Sequence, residues 1–231
     1  GSTLVLGAWF FAFQIYGDFS GYSDIAIGTA RLFGINAMRN FAYPYFSRDI
    51  AEFWRRWHIS LTTWFRDYVY IPLGGSRGTK WQVVRNTFII FLVSGFWHGA
   101  NWTFVAWGAF HALLFLPLII LGKNRKNTNT VAEGRVLPSV KEFGQMALTF
   151  GLVVVGWVFF RADTITEAFD YLAHMADPSL FSLPLVFKIK ELMLPTFFAV
   201  AVLIGFEWTN RTAQYGFQVA RFPMIIRWLL Y

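Results

Sequence analysis

A histidine set between two long apolar runs is the feature that most constrains this chain. His98 lies in the stretch GFWHGANW at residues 95–102, which follows an apolar run at 83–96 and precedes another at 103–121. A titratable ring is costly to bury in hydrocarbon, so such a residue in a membrane segment is a functional candidate by default. The residue alone fits equally well a buried histidine that bonds a carbonyl where two helices meet.

The composition favours a membrane protein. The 231 residues are 56% hydrophobic, 20% aromatic and 14% charged, whereas an ordinary soluble domain carries about 25% charged residues. The chain contains 27 phenylalanines and 11 tryptophans, and tryptophan favours the membrane interface. We therefore predict an all-α fold, a polytopic transmembrane helical bundle with broken and re-entrant helices, in a single membrane domain over residues 1–231.

The charge and the lack of cysteine exclude several classes of function. The net charge of +7 fits basic loops at a cytoplasmic leaflet rather than a nucleic-acid binder, because the basic residues cluster between apolar runs. Without cysteine the chain has no disulfide, no cysteine-based zinc site and no thioester on a cysteine. We expect neither a bound metal nor a bound cofactor.

Two glycines and two carboxylates interrupt the first apolar segment at residues 17–24. A broken helix at membrane depth is tolerated only where it faces protein or a water-filled cavity. We therefore expect the helix to break here and to face one of these. A cation site made by Asp18 and Asp24 is weakly indicated, because positions six apart do not share a helical face. Carboxylates satisfied by backbone donors, or by Arg31 or Arg39, are the better interpretation.

The next segment predicts an amphipathic helix from Ser47, an N-cap residue, to about Phe65. It is too charged to span lipid, so it should lie at the interface or dip into the bundle. His58 falls at the edge of its apolar stripe, where a lone histidine is usually only a boundary residue. The stripe consists of Ile50, Phe53, Trp54, Trp57, Leu61, Trp64 and Phe65.

A re-entrant hairpin is predicted around His98. The 13 residues from Arg85 to His98 rise about 20 Å as a helix, and the hydrocarbon core is about 30 Å thick, so the ring should sit at or past the midplane. The chain turns at Gly99 and returns as a helix over 101–121. His111 in that helix is interpreted as a packing or hydrogen-bonded residue.

Further helices are expected at about 142–160, 164–176 and 189–208, and the basic residues between helices set the orientation. By the positive-inside rule the richer side is cytoplasmic, which places loops 74–85 and 122–141 there. Arg161, Lys188 and Lys190 fall on the opposite side. The cytoplasmic set is Arg77, Lys80, Arg85, Lys123, Arg125, Lys126, Arg135, Lys141, Arg211, Arg221 and Arg227.

Two other functional classes stay open. Gly74, Ser76 and Gly78 match the serine-hydrolase pattern G-x-S-x-G, but that pattern needs a preceding strand within a large sheet. Pro72 and the missing βαβ alternation favour a glycine-rich turn at the membrane edge, so an esterase using Ser76 is the weaker alternative. A transporter or channel would also need a broken helix and buried histidine, aspartate and arginine.

Several sequence blocks resemble the membrane-bound O-acyltransferase family, in particular its alginate O-acetylases and related bacterial polysaccharide acetylases. The blocks are FWRRWHISL at 53–61, WFRDYVYIPLGG at 64–75 and WHG at 97–99, and the stretches YSD at 22–24 and NWTF at 101–104 also fit. The resemblance is strongest over 15–115. Family members usually have about twice this length, so the chain resembles their C-terminal half.

The resemblance implies transfer of an acyl group across the membrane onto a hydroxyl, in a central tunnel. His98 matches the family's catalytic histidine and His58 its second key position. We hypothesise that His98 takes the acceptor proton or carries the acyl group as an acyl-imidazole, while His58 orients the donor or stabilises oxyanion charge. Further candidates for the tunnel are Trp54, Arg56, Trp57, Trp97, Asn101 and Asp24, the tryptophans as walls that exclude water.

The resemblance also implies the partners. The acyl donor would be a cytoplasmic substrate, either acetyl-CoA or an acyl carrier. The acceptor would be an exported polysaccharide such as alginate, reached from the cytoplasmic (inner) membrane with the help of a periplasmic partner acetyltransferase. Transfer of D-alanine or another acyl group to a cell-wall polymer is the alternative within the family. No nucleic acid is expected.

Overall fold

The computed structural model describes residues 1–184, 190–214 and 223–230, and this part of the chain is built from helices, which confirms the all-α prediction. Lys188 and Arg221, both used to orient the chain, lie outside the described residues. The α-helices are α1 Ser2–Leu32, α2 Ile50–Arg56, α3 Ile59–Phe65, α4 Lys80–His98, α5 Trp102–Ile120, α6 Val140–Arg161, α7 Ile165–Met175, α8 Lys190–Asn210 and α9 Met224–Leu230.

Three helices of the described part are long and apolar enough to cross a bilayer. They are Trp102–Ile120, Val140–Arg161 and Met193–Asn210. The start of α6 is fixed by a capping box, in which Ser139 and Glu142 each satisfy a backbone amide of the other. The full helices α5, α6 and α8 begin and end within two residues of the bounds predicted for them.

Helices α4 and α5 form the predicted hairpin, and two glycines let their backbones meet. A Cβ atom on Gly95 would stand 2.3 Å from the carbonyl oxygen of Phe104, and one on Gly108 would stand 2.2 Å from that of Phe91. No side chain fits at either distance, so the two helices touch backbone to backbone. Asn101 begins α5 by accepting from the amide of Thr103 at 3.1 Å.

The break predicted in the first helix is wrong. Helix α1 runs without interruption from Ser2 to Leu32. Gly17 and Gly21 lie on its exposed surface, where an added Cβ would meet nothing within 4 Å. A glycine inside a helix costs only about 1 kcal/mol, which a long packed helix tolerates. Asp18 and Asp24 are both exposed on this helix.

Arg39, one of the two arginines suggested as partners for those carboxylates, forms its hydrogen bonds elsewhere. Arg39 donates to the backbone carbonyls of Ala213 and Gln214, at 3.4 and 2.8 Å. This contact ties the loop after α1 to the end of α8, so the arginine has a structural partner of its own.

The single helix predicted from Ser47 to Phe65 is also wrong, because it is two helices. Asp49, not Ser47, is the N-cap, accepting from the amide of Glu52 at 2.7 Å, while the Ser47 hydroxyl donates to the carbonyl of Pro44. Helix α2 ends at Arg56, and a π-helical turn at Arg66–Tyr70 continues α3.

The break between α2 and α3 is stabilised by a neighbouring loop. The carbonyl of Arg56 accepts from the amide of Ala42, and the amide of Ile59 donates to the carbonyl of Asn40, both at 2.9 Å. These bonds replace intrahelical ones on either side of the break, and therefore a tertiary contact divides the helix.

A buried ion-pair network ties α2 to the loop before α6. Glu52, which is 1% exposed, accepts from Arg48 at 3.0 Å and from Arg56 at 2.8 Å. Both arginines also donate to the backbone carbonyl of Asn129, at 2.7 and 3.3 Å. The carboxylate thus pairs with the buried Arg48, which also lies 3.8 Å from Glu142, and with the half-buried Arg56.

Candidate active site

His98 lies at the C-terminal end of α4 with its ring among aromatic side chains. It packs edge to face on Trp107 at 5.3 Å and on Phe160 at 5.2 Å between ring centroids. The residue is half-buried. Among the described residues neither ring nitrogen of His98 has a hydrogen-bond partner, so the nitrogens are available to a substrate.

His58 occupies the break between α2 and α3 in a strained backbone conformation. Its φ of 44° and ψ of 55° are left-handed, a region that non-glycine residues adopt at some cost and that is concentrated at functional sites. The ring stands edge to face against Phe19 of α1, at 4.6 Å between centroids. The side chain is half-buried, as that of His98 is.

The two imidazoles influence each other. Burial, and to a lesser degree the nearby charge of His98, lower the pKa of His58 to about 4. Burial disfavours the charged ring and a second cation close by disfavours it further. His58 is therefore neutral at pH 7, and a charge on His98 would act on its ring.

A series of packed aromatic rings links the two histidines. It begins with Phe19, which contacts His58 and packs on Phe41 at 5.0 Å, and Phe41 packs on Trp57 at 4.9 Å between ring centroids. Trp57, which precedes His58, packs on Trp157 of α6 at 5.0 Å, and Trp157 packs on Phe160 at 5.5 Å. Phe160 in turn contacts His98. Trp57 directly follows α2, and Trp157 and Phe160 belong to α6. These contacts therefore link the break between α2 and α3 to the C-terminal end of α4.

Trp54 lies one step farther from the site, beside His111. Its indole nitrogen donates to Nδ1 of His111 at 3.3 Å, and its ring packs on Trp107 at 5.5 Å. His111 is fully buried. The interpretation of His111 as a packing or hydrogen-bonded residue is confirmed.

Two of the other tunnel candidates have structural bonds. Arg56 belongs to the ion-pair network through Glu52. Asn101 caps α5 and donates from its amide nitrogen to the carbonyl of Asp163 at 2.8 Å. That bond ties the hairpin turn to the segment between α6 and α7, next to Phe160.

The last two candidates are exposed. Trp97 is 59% exposed and touches His98, its neighbour in sequence, at 5.0 Å between ring centroids. Asp24 is exposed on α1. That Trp97 or Asp24 lines a tunnel stays a prediction.

Sequence reasoning missed the aromatic residues that hold the site together. Trp107, Trp157 and Phe160 were not among the candidates, although the first two are each only 1% exposed. The spacing of Thr103, Trp107 and His111, four residues apart, could have indicated a buried face of α5. Nothing in the sequence could have shown that Trp157 meets this face.

The serine-hydrolase pattern lacks its structural context. Ser76 lies in an exposed turn after a π-helical segment, and its hydroxyl bonds the hydroxyl of Tyr70 at 3.0 Å. The predicted glycine-rich turn is confirmed, with Gly74 and Gly75 in left-handed conformations. Within the described residues no histidine bonds Ser76, so the base of a catalytic triad is missing.

Two adjoining cavities lie beside this turn. One of about 220 Å³ is lined mainly by apolar residues of α2 to α5, including Trp54 of α2 and Phe91 of α4. The second, of about 510 Å³, has Arg66, Arg77 and Arg125 in its lining. Arg66 lines both cavities, so a basic opening adjoins an apolar pocket that reaches Trp54.

Relatives of the chain are acyltransferases by name. It is 50% identical over 163 residues to the protein named "Probable alginate O-acetylase AlgI" of Pseudomonas aeruginosa, covering 71% of this chain and 29% of that one. It is 40% identical to a peptidoglycan O-acetyltransferase of Helicobacter pylori (71% and 30% covered). It is 32% identical to a teichoic acid D-alanyltransferase of Streptococcus thermophilus (65% and 39% covered).

The chain thus spans between 29% and 39% of the length of these relatives. The model of the membrane-bound O-acyltransferase family matches residues 3–160, which include both histidines and the hairpin. Helices that can cross a bilayer, the paired histidines and this match agree with one another. The chain belongs to the membrane-bound O-acyltransferase family.

Proposed function

We propose that this chain forms the C-terminal half of an integral-membrane O-acyltransferase that moves an acetyl group across the cytoplasmic membrane to O-acetylate an exported polysaccharide such as alginate. The observation that carries the proposal is that packed aromatic rings link His58 to His98, whose ring nitrogens have no hydrogen-bond partner among the residues that the structure describes. The similarity to proteins named as polysaccharide acetylases supports the substrate class. Detection of the native protein at about twice the mass of this chain would support the assignment as one half.

In the reaction, a nitrogen of His98 accepts the proton of the acceptor hydroxyl as its oxygen attacks the acyl carbonyl carbon. The bond to the donor's leaving group breaks, and that group takes the proton back from the imidazolium. In the alternative route the nitrogen attacks first, the leaving group departs with a proton, and the hydroxyl then displaces the imidazole. Either route needs a neutral ring at the start, which a low-dielectric surrounding favours.

The donor proposed is acetyl-CoA or an acyl carrier, both of which hold the acyl group on a phosphate-bearing arm. Arg77 and Arg125 line the basic cavity, and neither has an ion-pair partner in the described part of the chain. Arginine is well suited to phosphate. The apolar cavity next to it would take the uncharged part of the arm, towards Trp54.

The orientation and partners follow from the same proposal. The segments 74–85 and 122–141, which include the first residues of α4 and α6, face the cytoplasm because they are rich in basic residues. The basic cavity then opens towards the cytoplasmic donor. The polysaccharide, and a periplasmic partner acetyltransferase that receives the acetyl group, belong to the opposite side.

The relatives' names also support a second acceptor class. The match to a teichoic acid D-alanyltransferase makes transfer of D-alanine to a cell-wall polymer the alternative function. Parallel assays with acetylated and D-alanylated donors separate the two. The donor that supports His98-dependent transfer identifies the acyl group.

The direct test uses the full-length protein in lipid nanodiscs with radiolabelled acetyl-CoA and an alginate oligosaccharide. We expect the label to appear on the oligosaccharide, or on the periplasmic partner when that is added. A transporter would move label across proteoliposomes without forming an ester. Labelling of Ser76 by a serine-directed phosphonate, with loss of activity, would instead support an esterase.

A further inference from the structure

Asn40 makes four hydrogen bonds around His58. Its carbonyl oxygen accepts from the amide of Ile59 at 2.9 Å. Its side-chain oxygen Oδ1 accepts from both the amide and the hydroxyl of Ser60, at 3.2 and 2.6 Å. Its side-chain nitrogen donates to the hydroxyl of Ser23 at 3.2 Å. One residue of the loop thus holds the first turn of α3 and ties it to α1.

These bonds fix the orientation of the Asn40 amide. A backbone N–H only donates, so the atom that faces the amide of Ser60 must be the oxygen. That oxygen only accepts, and therefore the hydroxyl of Ser60 must donate its proton to it. Ser60 has one hydroxyl proton, so towards any other neighbour its oxygen acts as an acceptor.

The neighbour is His58. Its Nδ1 stands 3.5 Å from the hydroxyl oxygen of Ser60. Since the hydroxyl proton of Ser60 is directed to Asn40, a hydrogen bond at this contact requires the proton on Nδ1. A neutral imidazole has one N–H and one lone pair, so that tautomer places the lone pair of His58 on Nε2. The ring is neutral at pH 7 because burial lowers its pKa to about 4.

The surroundings keep this arrangement in place. Ser23 is 5% exposed on α1, so the relay from Ser23 through Asn40 to Ser60 is anchored inside the bundle. The bonds that Asn40 accepts from the backbone amides of Ile59 and Ser60 also fix the chain directly after His58, whose backbone is left-handed. A strained backbone persists where the structure around it determines it in this way.

We propose that Asn40 and Ser60 are positioning residues that hold His58 as the Nδ1–H tautomer and leave Nε2 as a hydrogen-bond acceptor towards the substrate. The tautomer stands on the hydrogen bonds alone, whereas its use in the reaction rests on the proposed function. A neutral ring of this kind cannot donate from Nε2 to an oxyanion. His58 therefore orients a substrate group that carries a proton, such as the acceptor hydroxyl.

The tautomer can be read by NMR of the full protein labelled with ¹⁵N-histidine in nanodiscs. The chain has four histidines, and the signals lost in His58→Gln assign those of His58. At pH 7 we expect Nδ1 to be protonated and Nε2 unprotonated. In Ser60→Ala the preference for the Nδ1–H tautomer should be lost, whereas Ser60→Thr should keep it. Thr63→Ala, on the same helix, should leave the tautomer unchanged.

Acyl-transfer kinetics test the positioning role. Ser60→Ala removes the hydroxyl that contacts Nδ1 of His58 and should lower kcat about five- to tenfold. Ser60→Thr, which keeps a hydroxyl, should retain the wild-type kcat. A wild-type His58 protonated on Nε2, or a tautomer unchanged in folded Ser60→Ala, would overturn the proposal. Full activity with a changed tautomer would overturn the positioning role. An inactive wild type with the Nδ1–H tautomer would contradict the proposed function instead.

Discussion

At the scale of the residue, three histidines among aromatic side chains have different hydrogen-bond environments. Among the described residues the ring nitrogens of His98 have no hydrogen-bond partner. Nδ1 of His58 contacts the hydroxyl of Ser60, and Nδ1 of the fully buried His111 accepts from Trp54. Only a ring with a free nitrogen and access to substrate can act as a base. The bonds around each ring therefore separate the candidate base, its partner and a packing residue.

Trp54→Phe tests the packing role of His111. The change leaves Nδ1 of a fully buried ring without its donor, which should lower the free energy of unfolding by about 1–3 kcal/mol. Thermal unfolding in detergent measures it. Trp64→Phe, at a side chain that is 50% exposed, is the control. Equal stability of the two variants would show that the bond contributes little.

The residues of the site could be predicted only in part from the sequence. His58 and His98 stand out because each lies in a block that resembles a known family. Asn40 carries no such signal, since an asparagine in a loop is common and its importance comes from contacts to Ser23 and Ser60. Local sequence does not encode such tertiary contacts.

At the scale of the element, prediction succeeded where apolar runs were long and ended in caps. Helices α5 and α6 have bounds close to those expected, whereas α4 begins at Lys80, inside the stretch predicted as loop 74–85. The break after Arg56 was missed because hydrogen bonds from a distant loop create it. The break expected in α1 does not exist, because exposed glycines on a 31-residue helix interrupt the hydrophobic pattern without ending the helix.

Gly95→Ala tests the backbone contact of the hairpin. A Cβ at 2.3 Å from a carbonyl oxygen must push α4 and α5 apart, so we expect at least about 1–3 kcal/mol of destabilisation together with loss of acyl transfer. Gly151→Ala in α6 is the matched control, since nothing lies within 4 Å of its added Cβ. If both variants unfold at the wild-type temperature, the close approach is not required.

Glu52→Gln tests the ion-pair network of α2. It leaves the buried Arg48 and Arg56 without their shared carboxylate, and breaking a buried pair typically costs about 3–5 kcal/mol. Denaturation in detergent should therefore shift strongly. Asp67→Asn removes an exposed pair with Arg66 and should change stability little. A Glu52→Gln variant as stable as Asp67→Asn would contradict the role of the network.

At the scale of the whole molecule, the basic cavity and His98 lie towards opposite ends of α4. The arginine-lined cavity lies beside the glycine-rich turn before α4, whereas His98 lies at the far end of the same helix. Helix α4 has 19 residues, which correspond to about 28 Å of rise. In the proposed function, an acyl group taken up at the basic end would therefore move about the length of α4 to reach His98.

Arg77→Ala tests the donor end. Loss of one charge-assisted bond to phosphate should raise KM for the acyl donor about tenfold and leave kcat nearly unchanged. The effect should weaken as the salt concentration rises, because exposed charges are screened. Lys123→Ala, in the next basic loop but outside the cavity lining, serves as the control. An equal change in both variants would mean that only the overall charge matters.

The central claim is that His98 activates a hydroxyl for acyl transfer, and its most direct measurement is the transfer rate of His98→Ala in the full-length protein. The account predicts a loss of about 10²–10⁴-fold in kcat with a normally folded protein. His174→Ala, at an exposed histidine of α7, should retain the wild-type rate. Wild-type transfer by folded His98→Ala would contradict the account.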